Sequence, residues 1–200
     1  MKIITIVVWC VMSIASGAIA DEFQTVKDNL SRPGCHYFEF VSIVHSNVFD
    51  DIDSAHGTAY MASDGRYNIK IADDQYLCDG EFHYSYNVGS NQVIIEPSAS
   101  GSAADEEFYF IVRLDELYHS QTVETGKRYR LLRREDAGGE YPDSMDVDIN
   151  AKRKSLEQIE FYDINDDLNV IRFFEHDYFE KGEPAWFEAD FPDSVEKVKL

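Results

Sequence analysis

The stretch from Gly57 to Pro97 constrains this chain most, because its apolar residues recur at every second position between turn signals. Tyr67, Ile69 and Ile71 alternate with Arg66, Asn68 and Lys70, and Phe82, Tyr84 and Tyr86 alternate with His83 and Ser85, the period of half-buried strands. Ser63-Asp64-Gly65, Asp79-Gly80 and Gly89-Ser90-Asn91 separate the runs with residues that tolerate positive φ. A β-meander is therefore predicted. Its aromatic face must meet a second layer, helices or an apolar ligand.

The chain opens with a basic Lys2, an apolar run from Ile3 to Ile14, and Ala18-Ile19-Ala20 before Asp21. That order reads as a cleavable secretory signal peptide over 1–20, leaving one domain over 21–200. A membrane anchor would need roughly 20 apolar residues, and Ser13, Ser16 and Gly17 interrupt this run. No lipobox cysteine follows, and nothing later approaches a membrane span, so a soluble exported mature protein is expected. A formal net charge of −20 repels nucleic acid and anionic membrane surfaces, which excludes phosphate-backbone binding as a working function.

Cys10 leaves with the signal, and Cys35 and Cys78 remain as a possible disulfide. If Cys35 opens the first strand and Cys78 closes the fourth, they share a rim but stand roughly 14 Å apart by strand spacing. A bridge needs Cα atoms within about 7 Å, so only a strongly curled sheet would join them.

Before the meander, Phe23, Val26 and Leu30 fall on one face of a short amphipathic helix from Asp21 to Leu30, stopped by Ser31-Arg32-Pro33-Gly34. A strand from His36 to His45 follows, and then an acidic segment from Asn47 to Ala55 reads as a solvated loop. After the meander, Phe108 to Tyr118 carries a broad apolar stripe behind Asp105, Glu106 and Glu107. It is predicted as a helix crossing the concave side of the sheet like a lid, with a buried strand as the alternative. Strands are then predicted over 126–134, 143–150, 159–164, 168–174 and 185–191, with a hairpin turn at Asn165-Asp166-Asp167. The expected fold class is mainly β with a few helices, an antiparallel sheet or open barrel.

The residues for chemistry are sparse. Six histidines, His36, His45, His56, His83, His119 and His176, lack metal-site spacing and read as ordinary surface or strand residues. Asp163, Asn165 and Asp167 imitate the first ligands of a calcium loop, but Leu168 and Phe174 stand where glycine and the closing glutamate belong. Glycine-rich phosphate loops and serine-nucleophile motifs are missing, so no cofactor and no enzymatic activity are expected. A secreted hydrolase built on one of many carboxylate pairs is the different-class alternative. Twelve tyrosines and thirteen phenylalanines are more than a sheet of this size needs, which points to an apolar cavity between sheet and helices. Parity assigns Tyr67, Ile69, Tyr84 and Tyr86 to that cavity, with Tyr60 and Tyr76 beside them and Phe108, Ile111 and Val112 from the lid.

Gly57 to Ile69 (GTAYMASDGRYNI), Leu77 to Gly80 (LCDG), His83 to Asn87 (HYSYN), Asn91-Gln92-Val93 and the ending Trp186 to Val198 (WFEADFPDSVEKV) follow one another in a telling order. That order resembles the LolA-like periplasmic carriers of outer-membrane lipoproteins. The resemblance implies an incomplete β-barrel capped by helices, whose cavity takes the acyl chains of a lipoprotein. It implies as partners an inner-membrane ABC transporter that releases the cargo and an outer-membrane receptor that accepts it, the carrier itself being a monomer. Ser63-Asp64 stands where the family has Arg-Pro, so the arginine tied there to holding and releasing cargo is absent; Arg66 matches the family's second arginine. A relative of the same fold that senses mislocalised lipoproteins or other lipids is the nearest alternative.

Overall fold

The computed structural model describes residues 22–98, 108–138 and 141–200. The predicted signal peptide lies outside the described residues. Among the described residues, twelve strands form one open, curled sheet. They are β1 (Cys35–Ser46), β2 (Asp51–Ala62), β3 (Tyr67–Ile71), β4 (Asp74–Cys78), β5 (Phe82–Asn87), β6 (Gln92–Pro97), β7 (Tyr118–Glu124), β8 (Arg128–Arg133), β9 (Ser144–Asn150), β10 (Ser155–Tyr162), β11 (Leu168–Phe179) and β12 (Glu196–Lys199). The order across the sheet is β12-β6-β5-β4-β3-β2-β1-β11-β10-β9-β8-β7. The long β1 joins two meanders, pairing with β2 on one side and β11 on the other.

Turn chemistry follows the sequence closely. Gly65 and Gly80 hold φ of 94° and 99°, and Asn91 holds 51°, so the three predicted turns use the residues expected of them. At Asp163 the side chain accepts the backbone N–H groups of Asn165 and Asp167, which closes the β10–β11 hairpin.

Four segments depart from expectation. The acidic loop shrinks to residues 47–50, because β1 offers a ladder along its whole length and Asp51 to Ala55 fill it with their side chains largely in water. The predicted lid helix is split into a 3₁₀ turn, Tyr109–Arg113, and a single α-turn, α2 (Leu114–Leu117); Tyr118 is already extended. Residues 185–191 do not make a strand: a 3₁₀ turn at Pro184–Phe187 leads to irregular chain. That chain ends in β12, which pairs parallel with β6, so one edge of the sheet is not antiparallel.

One core fills the concave side. Helix α1 (Glu22–Leu30) lays Phe23, Val26 and Leu30 onto it, and β1, β8, β9, β10 and β11 contribute Phe38, Tyr129, Val147, Ile159 and Ile171. The β9 alternation, Met145, Val147 and Ile149 inward, is the one read from sequence. Gly57 is placed by packing rather than by its φ: a Cβ there would come within 2.5 Å of the Phe40 ring, which lies across the bare backbone.

Candidate functional site

Register decides which aromatic residues share a face. Tyr67 pairs with Cys78, Cys78 with His83, and Ile69 with Tyr76, so these residues line the concave side. Leu77 pairs with Tyr84 and Gln75 with Tyr86, which puts Tyr84 and Tyr86 on the convex side. Tyr60, opposite Tyr37 and Asn68, is convex as well. Of the predicted cavity residues, the fold thus gathers Tyr67, Ile69, Tyr76, Phe108, Ile111 and Val112 on one apolar surface and sends Tyr60, Tyr84 and Tyr86 to the other. The parity argument assumed that the whole aromatic run of β5 faces inward; instead buried His83 takes the inward position, with its Nδ1 3.0 Å from the Tyr67 hydroxyl.

The convex aromatics serve the C-terminal segment. Tyr84 and Tyr86 lie against Phe191, and Tyr60 stacks on Trp186 at 4.6 Å between centroids. The Tyr84 hydroxyl donates to Asp79 at 2.8 Å; burial, together with that carboxylate, pushes its pKa up to about 12. Cys35 joins Ala62 and Phe187 in this convex cluster, whereas Cys78 belongs to the concave core. The two thiols are not bridged to each other. The sheet itself stands between them, so the curling that a bridge required does not bring them together. Burial pushes the Cys35 thiol up to about 11, the mark of an inert structural cysteine.

The concave face is closed by α1 and the 109–117 segment. Phe110, Ile111, Leu114 and Leu117 of that segment are buried, while Val112 is half-buried against the same core. Neither the 3₁₀ turn nor α2 has a side-chain N-cap, so this cover has little helical stability of its own. Polar ties hold it: Lys27 Nζ donates to Asp115 at 2.6 Å, the Tyr109 hydroxyl to the Ala62 carbonyl at 3.0 Å, and Arg134 to the Asp115 carbonyl at 3.2 Å. Lys27 is only 7% exposed. Its ammonium holds the Asp115 carboxyl below the usual range against the opposing effect of burial. Beside this latch is a cleft of about 320 Å³ reaching Met61, His36, Tyr109 and Val112.

Ser63 and Asp64 serve the β2–β3 turn. Ser63 Oγ accepts from the Gly34 N–H at 3.0 Å, and Asp64 binds the Arg66 guanidinium through both oxygens. Arg66 also covers the Phe187 ring at 4.7 Å, so it belongs to the convex side and does not reach the cover.

Sequence reasoning missed a histidine pair. His36 Nδ1 and His176 Nε2 stand 3.0 Å apart, 140 positions distant in the chain, with His176 stacked on Phe38 at 4.6 Å. Burial lowers both pKa values, that of His176 to about 4, with His36 adding to the effect. Only the β1–β11 pairing brings them together, and no local pattern announces it.

No family model and no curated protein match the sequence. Among solved structures the chain is similar to an uncharacterized conserved protein from Thermus thermophilus, at TM-score 0.52 and 12% identity over 90% of this chain and 97% of that one. It is similar also to a LolA superfamily protein from Nitrosomonas europaea, at 0.46 and 8% over 84% and 96%. A DUF1329 family protein from Desulfovibrio piger stands at 0.46 and 13% over 84% and 95%. The likeness to the Thermus thermophilus protein is one of fold. No described helix is long and apolar enough to cross a membrane.

Proposed function

We propose that this protein is a periplasmic carrier that takes acyl chains, those of a lipoprotein foremost, onto its concave face, acting by binding and release without chemistry. The observation that carries the reading is the cover: a broad apolar face is closed by two short helical segments, packed on it by their apolar residues and tied by a few polar contacts, rather than by a second sheet. Displacing the cover would open Tyr67, Ile69, Tyr76, Phe108, Ile111 and Val112 to a chain. Each buried CH₂ of that chain would contribute about 0.8 kcal/mol, offset by the cost of moving the cover, which leaves binding loose enough for hand-over. In this reading an inner-membrane ABC transporter loads the carrier and an outer-membrane receptor unloads it.

Native mass spectrometry of the protein expressed with its full leader, with extraction of bound lipid, tests the proposal. A bound diacyl species supports it. A protein that is empty and also ignores an added acylated peptide refutes it. Val112→Asp, at a half-buried position on the cover, is expected to abolish uptake of that peptide with little change in the thermal midpoint.

A sensor with a protein partner is the second reading, and one observation favours it. Phe49 and Ile164 are 78% and 96% exposed on the tips of adjacent hairpins, which Asn47 joins by donating to Asp167. A stoichiometric partner bound through these tips would shift the assignment from carrier to sensor.

A further inference from the structure

The sheet contains a gap. Among the described residues, β10 pairs with β11 only from Gln158 opposite Arg172 to Tyr162 opposite Leu168, whereas β11 continues to Phe179 with β1 as its sole partner there. Between the start of β10 and the far half of β11 a cleft of about 510 Å³ opens, roofed by the end of α1, where the Asn29 side chain donates to the Lys154 carbonyl. That volume falls within the roughly 300–1,000 Å³ usual for small-molecule sites.

The lining is two-sided in character. Leu156 and Phe173 form the floor, and both are members of the main concave core, so the floor continues the apolar surface beneath α1. Arg32, Arg153 and Lys154 stand on the rim. In a chain of net charge −20, three cations on one cleft are a local reversal of sign. Arg153 has Glu157 at 3.7 Å. Arg32 and Lys154 have no carboxylate within ion-pair distance among the described residues; the Arg32 guanidinium instead lies over the Tyr178 ring at 3.9 Å, at the entrance. Glu39 and Glu175, paired across β1 and β11, line the same cleft, so an anion would be drawn to the cations and kept from these two carboxylates.

We propose that this cleft binds the anionic headgroup, carboxylate or phosphate, of an acyl lipid, with Arg32 and Lys154 as its ligands and the acyl chain running over Leu156 and Phe173 towards the concave core. The inference rests on the acyl-carrier reading and narrows it. The diacylglyceryl end of a lipoprotein has no charge of its own for these cations to meet, whereas a fatty acid or an anionic phospholipid does.

The experiment titrates the purified mature protein with four probes of equal chain length: palmitate, lysophosphatidylglycerol, lysophosphatidylcholine and monopalmitoylglycerol. Palmitate and lysophosphatidylglycerol are expected to bind about tenfold more tightly than monopalmitoylglycerol, with the margin shrinking in high salt. Preference for palmitate alone, or for lysophosphatidylglycerol alone, would assign the carboxylate or the phosphate as the native head. R32Q/K154Q should erase the margin while leaving monopalmitoylglycerol binding unchanged. Because Arg32 also packs on Tyr178, K154E is the second variant; it removes one exposed cation and is expected to reduce anionic binding severalfold. Equal affinity for charged and neutral probes, or tight anionic binding that survives both variants, overturns the headgroup site and leaves the carrier reading standing. Failure of all four probes to bind overturns the headgroup site, and a protein that then also ignores the acylated peptide overturns the carrier reading with it.

Discussion

The two faces of the β3–β6 meander carry similar aromatic residues, yet they are closed by different means. On the convex side an extended C-terminal segment is sewn into the sheet: β12 pairs with β6, the Leu200 N–H donates to the Ile95 carbonyl, and Asn91 Nδ2 donates to the Ser194 carbonyl. On the concave side the cover is a nine-residue helix and a short broken one, tied down by Lys27, Tyr109 and Arg134. The difference teaches that apolar area does not mark a binding face. What marks it is whether the layer above can leave without breaking backbone pairing.

The comparison can be broken first at Phe187, the buried centre of the convex cluster. Phe187→Ala should cost about 3 kcal/mol of stability, measured by urea unfolding, and leave acyl binding unchanged. A loss of binding at constant fold would mean that the convex side is the ligand face.

The next largest effect is pH-dependent and belongs to the concave rim. His176 titrates near 4 when folded, against 6.5 for a free histidine. Between those values the unfolded chain holds the extra proton, so this contribution is full above pH 6.5 and is lost as the pH falls towards 4. Stability should drop by about 2 kcal/mol by pH 4.5. His176→Asn, which keeps a hydrogen-bonding partner for His36, should flatten that slope in the same denaturation series.

Asp115→Asn removes the charge from the latch. It should cost about 1 kcal/mol, since Asp115 is half exposed, and should speed the uptake of an acylated peptide in stopped-flow fluorescence. Unchanged uptake would show that the cover opens elsewhere. Tyr84→Phe is the smallest test. Losing the hydroxyl that donates to Asp79 should cost less than about 1 kcal/mol and leave lipid binding untouched, whereas a binding defect would contradict its convex placement.

Much of the fold was legible where a local rule acts. The face of α1, the β9 alternation and the turns at Gly65, Gly80 and Asn91 depend on residues a few positions apart, and each appears as read. The candidate site was legible only in part. Tyr67, Ile69, Tyr76 and the residues from the cover come together, but Tyr60, Tyr84 and Tyr86 do not, because inward parity at β5 is set by its pairing with β4 and not by its own alternation. Likewise, Asp51 to Ala55 become strand because β1 is long enough to pair them, and the residues after Pro184 fail to become one because they serve as a cover.

The sequence by itself determined a β-rich chain with a helix ahead of the first strand, the alternation of its strands and the turns between them, since these follow from covalent geometry and side-chain polarity over short spans. Tertiary structure alone decided which face is sealed, where the thiols lie, that His36 meets His176, and that β10 and β11 part to leave a cleft. Those outcomes depend on register between segments distant in the chain, and a shift of one residue in register turns every side chain to the other face.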